Sequence, residues 1–194
     1  MRLEAKILES RFVRLEPMAG RHREDFSAAC EADQEVWASL YPVSWAGEQF
    51  APTWAKLQRD QAAGDTQPYA VISQGEVAGI STFYAIDLGN GVVEIGGTYY
   101  RPDCRGGAVN PAAKRLMMAH AFESGARRVV FRVDAINARS RAAVLKLGAV
   151  QEGVLRSDRV TWTGRVRDTV IFSVLAGEWP AVRGGLDARL AGFD

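Results

Sequence analysis

Apolar and polar residues alternate along several short stretches of the chain, as they do in β-strands, and longer stretches carry apolar residues at helical spacing. The alternating stretches predict seven strands at residues 11–15, 69–73, 77–86, 92–100, 128–133, 150–155 and 166–175. Helical spacing and capping residues predict four helices at residues 21–32, 53–63, 111–124 and 137–147. This succession predicts an α+β domain built on a mixed sheet.

Glycine-rich turns separate these elements, and the turns indicate how the strands pair. Gln74-Gly75, Gly89-Asn90-Gly91 and Thr163-Gly164 each lie between two predicted strands and favour hairpins, which pair antiparallel. Residues 111–124 are apolar almost all round, which predicts a helix buried against the sheet. Because this helix joins two strands, the sequence predicts one parallel βαβ crossover.

In two stretches the apolar residues follow neither the spacing of a strand nor that of a helix for long. The aromatic-rich stretch from Trp37 to Trp54 contains Pro42, Gly47 and Pro52, so we expect it to be broken into short pieces. Its large side chains either line a substrate pocket or belong to the core; they are Trp37, Tyr41, Trp45 and Trp54. The tail after Glu178-Trp179-Pro180 has glycines and weak patterning. With no linker or repeat in view, residues 1–194 are expected to form a single domain.

Composition excludes several classes of protein. The chain has 194 residues, 47% of them hydrophobic and 24% charged, as in an ordinary soluble domain. Its net charge of +1 gives no overall field for nucleic acid or acidic membranes. Two cysteines are too few for a disulfide framework, and no signal peptide or long apolar run is visible, so a cytoplasmic location is expected. No His/Cys cluster has metal-ligand spacing, so no metal site is expected.

The segment from Tyr99 to Lys114 carries the most specific chemical signal. Gly106 and Gly107 permit a tight turn after a strand, and Asn110 followed by Pro111 is typical of a helix start. A turn of this kind directs free backbone N–H groups and the positive end of a helix dipole at one spot, which favours a phosphate site. The alternative is an ordinary strand–turn–helix connection. No Lys-Ser/Thr pair follows the glycines, which disfavours a nucleoside triphosphate as ligand.

This segment and the order of elements resemble the GNAT superfamily of acetyl-CoA-dependent N-acetyltransferases, in particular its Rim-type branch. Residues Arg105-Gly-Gly-Ala-Val-Asn110 fill the family's pyrophosphate-loop frame, Gln/Arg-x-x-Gly-x-Gly/Ala. Ala108 and Asn110 stand where glycines are usual, although Asn110 and Lys114 fit the branch. The resemblance implies a central, mostly antiparallel sheet of about seven strands flanked by helices. It also implies that the cofactor is bound by Arg105, Gly106, Gly107, Ala108, Val109 and Asn110.

A second motif resembles the family's Asn-x-x-Ser-x-x-x-Tyr-x-Lys-x-Gly pattern. Asn137 and Ser140 match it, whereas Val144 occupies the position of the tyrosine that protonates the leaving thiolate. The resemblance implies that Asn137 binds the pantetheine arm and that Ser140 takes over the role of the acid. The alternative is that Asn137 is only a helix N-cap and Ser140 only a first-turn residue.

A third match lies in the strand before the loop. The resemblance implies that Glu94 is the base that accepts the amine proton and that the backbone N–H of Thr98 faces the acetyl carbonyl. Glu94 can equally be a strand-face partner for one of the many arginines.

The function that the resemblance implies is acetyl transfer from acetyl-CoA to a primary amine by direct attack in a ternary complex. The acceptor is a protein N-terminus or a small-molecule amine; no metal, nucleic acid or membrane partner is expected, and a homodimer is left open. Because the family tyrosine is absent and Ala108 replaces a glycine, the alternative is a catalytically idle acyl-CoA-binding or interaction domain of the same fold.

Overall fold

The alternating segments pair into one open sheet in the computed structural model, which describes residues 1–193. Its eight strands lie in the order β1-β2-β3-β4-β5-β6-β8-β7. They are β1 (Leu8–Glu9), β2 (Arg14–Pro17), β3 (Gln67–Ser73), β4 (Glu76–Asp87), β5 (Val92–Tyr100), β6 (Arg128–Asp134), β7 (Val150–Val160) and β8 (Val166–Leu175). All neighbours are antiparallel except β5 and β6, so the predicted βαβ crossover is confirmed.

The sheet has one strand more than the expected seven. The additional strand β1 is two residues long and pairs Leu8 with Leu15, so it is too short to show an alternating pattern. The predicted strand at residues 11–15 is shifted, since β2 covers Arg14–Pro17.

Six α-helices among residues 1–193 flank the sheet: α1 (Arg23–Glu31), α2 (Glu35–Leu40), α3 (Phe50–Ala63), α4 (Val109–Glu123), α5 (Ala138–Leu145) and α6 (Trp179–Ala191). α4 and α6 pack together on one face, and α1 and α3 contact β4 and β3. α6 was not predicted, because Gly184 and Gly185 weaken its helical pattern. It forms because Trp179, Leu186 and Leu190 bury their side chains in the core shared with α4.

The aromatic-rich stretch contributes mainly to a second core on the opposite face. Trp45 and Trp54 are buried there against Phe26, with ring centroids 5.1 and 6.4 Å away. Trp45 and Trp54 therefore belong to the core, as one of the two interpretations has it. No helix within residues 1–193 is both long and apolar enough to cross a bilayer.

The parallel pair at the centre of the sheet separates after three residue pairs. The last pair joins Glu94 to Val130, but β5 continues to Tyr100 and β6 to Asp134. Gly97 lies in β5 just beyond this point with a φ of +55°, where the register against β4 is irregular. A Cβ there would lie 2.4 Å from Oη of Tyr84, so glycine is required. The result is a gap in the sheet between the ends of β5 and β6.

Candidate active site

Backbone groups of β5 line one side of the gap. Arg101 N donates to Ala78 O, so the alternating ladder directs the polar groups of Thr98 and Tyr100 away from β4. Tyr41 Oη donates to Thr98 O at 2.7 Å, and Arg105 Nε donates to Tyr100 O at 2.8 Å. The amide N–H groups of the same two β5 residues therefore point into the gap as hydrogen-bond donors.

The loop after β5 turns at Gly106, whose φ is +83°, and leads directly into α4. A Cβ built on Gly106 or Gly107 would have no heavy atom within 4 Å, so the space beside both glycines is open. The prediction that Asn110 caps the helix is wrong, since the N-cap is Ala108 and the helix begins at Val109. The glycine turn places the chain in helical geometry earlier than the Asn-Pro pair, and proline is tolerated within a first turn.

Arg105 begins this loop, but its guanidinium is turned toward the body of the protein. Nη1 lies 2.5 Å from Oδ2 of Asp33, and the guanidinium carbon lies 5.4 Å from the centre of the Tyr99 ring. Arg105 thus anchors the start of the loop to the body of the protein. The groups of the loop that can meet an anion are backbone N–H groups and the N-terminus of α4.

The second motif lies at the same edge of the sheet, because β5 and β6 are parallel and the loops after them leave from the same end. Asn137 Oδ1 accepts a hydrogen bond from Ser140 N at 2.9 Å, so Asn137 is the N-cap of α5. This bond uses the oxygen and leaves Nδ2 available as a donor. Ser140 is partly exposed in the first turn, whereas Val144, one turn later, is buried in the core.

Glu94 lies at the point where β5 and β6 separate, on the face opposite α4. Burial raises the pKa of its carboxyl group above the usual 4.5, and the positive charge of Arg132 opposes this shift. The two groups do not form a close pair, since Arg132 Nε lies 3.9 Å from Glu94 Oε2. Arg132 instead donates to Asp158 Oδ1 at 2.9 Å. Glu94 therefore lies near the positive charge of Arg132 without accepting a hydrogen bond from it.

Further charged side chains surround Glu94 on β7 and β8. Arg167 is buried and donates to Thr169 Oγ1 at 3.1 Å, with Asp134 Oδ2 at 3.8 Å. Arg159 lies close enough to lower the pKa of the Glu94 carboxyl. The face around the candidate base therefore carries several arginines.

The turn between β7 and β8 contacts the segment between α2 and α3. Trp162 N donates to Pro42 O at 3.1 Å, and Trp162 Nε1 donates to Trp37 O at 2.9 Å. Tyr41, in the same segment, is bonded to Thr98 of β5. These contacts close one side of the gap on the face that carries Glu94.

The structure brings together two groups of predicted site residues: those of the loop after β5 and those at the start of α5, with Glu94 and Thr98 on β5 itself. Sequence reasoning missed the contributions of Tyr84, Arg132 and Trp162. The pair Gly96-Gly97 inside a strand was a usable signal, because glycine in a strand marks a close approach. A Cβ on Gly96 would lie 2.9 Å from Glu94 Oε1. Within residues 1–193 no group of His, Cys, Asp and Glu is arranged to hold a metal ion.

Residues 13–150 match the family model described as an acetyltransferase (GNAT) domain. A crystal structure of a GCN5-related N-acetyltransferase from Brucella melitensis is 34% identical, with a TM-score of 0.88, covering 96% of this chain and 86% of the other. The chain therefore belongs to the GNAT acetyltransferase family, which confirms the predicted membership.

Two more distant structures show the same fold. RimJ from Mycobacterium smegmatis, in complex with CoA-disulfide, is 23% identical with a TM-score of 0.85; the match covers 100% of this chain and 98% of RimJ. The acetyltransferase from Salmonella typhimurium that modifies the N-terminal serine of ribosomal protein L7/L12 is 18% identical with a TM-score of 0.78, over 88% and 99% of the two chains. At these identities the two neighbours show the fold alone. None of the curated protein sequences matches this chain.

Proposed function

We propose that this protein transfers an acetyl group from acetyl-CoA to a primary amine by direct attack in a ternary complex. The observation that carries the proposal is the gap between β5 and β6, toward which the ladder turns the Thr98 amide and beside which Glu94 lies partly buried. Membership of the GNAT family and the CoA compound bound to M. smegmatis RimJ support the choice of donor.

The residues around the gap fit the parts of acetyl-CoA. Backbone N–H groups of residues 106–110 and the N-terminus of α4 would hold the diphosphate, with open space beside Gly106 and Gly107. The pantetheine arm would lie along the edge of β5, within reach of the Tyr100 amide and of Nδ2 of Asn137. Arg105 would support the loop rather than touch the phosphates, because Asp33 engages its guanidinium.

The chemistry needs an acceptor amine without its extra proton and a donor for the carbonyl oxygen. Glu94, directly or through a water, would take a proton from the amine as nitrogen attacks the thioester carbon. The Thr98 N–H would stabilise the negative charge on the carbonyl oxygen. When the C–S bond breaks, the thiolate leaves as such or takes the hydroxyl proton of Ser140, which solvent then restores; the products are the acetamide and CoA.

The acceptor is a protein N-terminus or a small-molecule amine. The S. typhimurium neighbour acts on an N-terminal serine, which supports the first of these. A second reading, an idle acyl-CoA-binding domain, is favoured by one observation: Val144 is buried in the core where the family tyrosine would stand.

Two measurements test the proposal. Calorimetric titration with acetyl-CoA, CoA and ATP should show binding of the first two only. Release of CoA thiol, measured against a panel of peptides with free N-termini and small amines, should show turnover. Binding of acetyl-CoA without turnover for any acceptor would favour the idle domain, and absence of acetyl-CoA binding would overturn both readings.

A further inference from the structure

A lysine is buried in the core directly behind the gap. Lys114 lies in the second turn of α4 and is 5% exposed, among apolar neighbours that include Ala113 and Met117. Lysine is almost never fully buried unless a carboxylate pairs with it, because its ammonium loses hydration. Within residues 1–193 no acidic group neutralises Lys114: burial alone lowers its pKa from 10.5 to about 7, and no nearby charge contributes.

The amino group of Lys114 contacts two hydroxyl groups on neighbouring strands. Nζ donates to Ser81 Oγ of β4 at 2.8 Å and to Thr98 Oγ1 of β5 at 2.5 Å. The two hydroxyls also bond each other at 2.9 Å. This polar triangle lies at the irregular register of β5 beside Gly97, so it ties α4 to both strands where the backbone departs from regular pairing.

The charge on Lys114 determines which way the hydrogen bonds of Thr98 run. An ammonium has three donors and no acceptor, so both hydroxyl oxygens must accept from it. The Thr98 hydroxyl proton is then free to point toward Gly96 O, which lies 3.5 Å away. A neutral amine carries a lone pair and can accept the Thr98 proton instead. Protonation therefore changes how the Thr98 side chain is held against its own strand.

We infer that Lys114 is a positioning residue for acetyl transfer: through the side chain of Thr98, its ammonium fixes the irregular segment of β5 and hence the Thr98 amide that faces the acetyl carbonyl. The inference rests on the proposed function, because it assigns that amide to the carbonyl oxygen. A methionine would fill the same space without losing hydration of a charge. The buried cation thus costs stability and serves the segment of β5 that meets the substrate.

The other ionisable groups near this part of the core are accounted for. Tyr100 shares the core face of β5, and its hydroxyl is buried without a hydrogen-bond partner. Arg115, the next residue of α4, is bonded to Asp187 of α6. Glu94 lies on the opposite face of the sheet. Tyr41, which donates to Thr98 O, keeps its proton because burial raises its pKa. The group that titrates against Thr98 is therefore Lys114 itself.

Lys114→Met tests the inference, with Lys56→Met as the matched control on the exposed face of α3, where the lysine pairs with Asp60. The variant should bind acetyl-CoA as wild type does, because the loop after β5 is untouched. Its kcat should fall roughly 10- to 100-fold. This loss should not exceed the loss that follows complete removal of an oxyanion donor, because the Thr98 amide is still present. Ionisation of the acceptor affects both proteins equally, so we compare the ratio of variant kcat to wild-type kcat. This ratio should rise toward one as the pH passes above about 7, because the wild-type protein then loses the ammonium form of Lys114.

Unfolding by urea separates positioning from a structural role. Wild type should gain stability as pH rises from about 7 to 10.5, because over this range the unfolded chain holds the proton that the folded protein has lost. Lys114→Met should lack this gain and should be the more stable protein at pH 7. Thr98→Val, which removes the hydroxyl but keeps the amide, should lower kcat to a similar extent, and the double variant should be no worse.

Three outcomes overturn the inference. If Lys114→Met has the same kcat and the same pH profile as wild type, the ammonium of Lys114 does not contribute to acetyl transfer. Loss of stability together with activity would make Lys114 a structural residue. Absence of turnover by the wild-type protein would overturn the proposed function, and this inference with it, whereas the first two outcomes leave the proposed function standing.

Discussion

At the scale of single residues, the candidate site depends on groups whose surroundings change their ordinary chemistry. Glu94 is a carboxyl group whose burial raises its pKa, with arginines nearby that keep it able to ionise. Ser140 is a first-turn residue beside a buried valine, and Asn137 uses its oxygen as a helix cap. The sequence alone allowed each to be either catalytic or structural, because cap residues and strand-face acids look the same in both roles.

Glu94→Gln should lower kcat roughly 100-fold or more while leaving acetyl-CoA affinity unchanged, since glutamine keeps the shape but cannot accept a proton. In wild type, activity should fall as pH drops through the raised pKa of Glu94, because the protonated carboxyl is no base. The variant should lack this acidic limb in a plot of kcat/KM against pH. Full activity in the variant would reduce Glu94 to a structural carboxylate on the face of the sheet that carries the arginines.

Ser140→Ala tests whether the leaving thiolate needs a proton. If the hydroxyl supplies it, acetyl transfer should slow by up to about 10²- to 10⁴-fold, and the loss should shrink with a donor whose thiol is more acidic. The N–H that bonds Asn137 is unaffected by this change, so the cap and the fold should persist. Ser124→Ala, at the far end of α4, serves as the control. Equal rates for Ser140→Ala and wild type would show that the thiolate leaves unaided.

At the scale of elements, the strands with clear alternation and their hairpin turns could be predicted from the sequence, as could the crossover through α4. The start of α4 was misplaced because the sequence does not show which of several glycines adopts a positive φ. In the structure it is Gly106, with a φ of +83°, and the helix begins soon after it. α6 was missed because its helix depends on burial of Trp179 and Leu186 rather than on local propensity. The contact of Trp162 with Pro42 joins residues 120 positions apart, which no local pattern can reveal.

Gly107→Val tests the loop after β5 as an anion site. Nothing lies within 4 Å of a Cβ at this position, and its φ is not in the left-handed region, so the variant should fold normally. The added side chain would occupy space proposed for the diphosphate, and CoA affinity measured by calorimetry should fall at least about tenfold, or 1.4 kcal/mol. Gly177→Val, in an equally open position between β8 and α6, is the control. Unchanged affinity in Gly107→Val would remove the diphosphate from this loop.

At the scale of the whole molecule, charge is nearly balanced overall but is unevenly distributed around the site. Arg132, Arg159 and Arg167 all act on Glu94 and outnumber the two carboxylates there, Asp158 and Glu94 itself, so the face that the acceptor must approach has an excess of positive charge. We expect acceptors with a carboxylate near the amine to be preferred over polyamines. The check is kcat/KM for a pair of acceptors that differ only in a carboxylate or a carboxamide, at low and high salt.

This preference should weaken at high salt, because ions screen the arginines. It should also weaken in Arg159→Gln, which removes the most exposed of the three, with a side chain 44% exposed. Arg2→Gln, whose side chain is 88% exposed and pairs with Glu4, is a control for loss of charge alone. Equal kcat/KM for the two acceptors in wild type would contradict the expectation.

We expect the early separation of β5 from β6 to affect how the domain opens. Three residue pairs are all that join the strands β1–β5 to the strands β6–β8 within the sheet. A ligand lying in the gap would bridge the two halves of the sheet. Its amide groups would replace the hydrogen bonds that β5 and β6 do not make to each other. When acetyl-CoA binds, hydrogen–deuterium exchange should then slow at the amides of Thr98 and Tyr100 and also at β6 across the gap. In the free protein, the two halves should exchange as separate cooperative units.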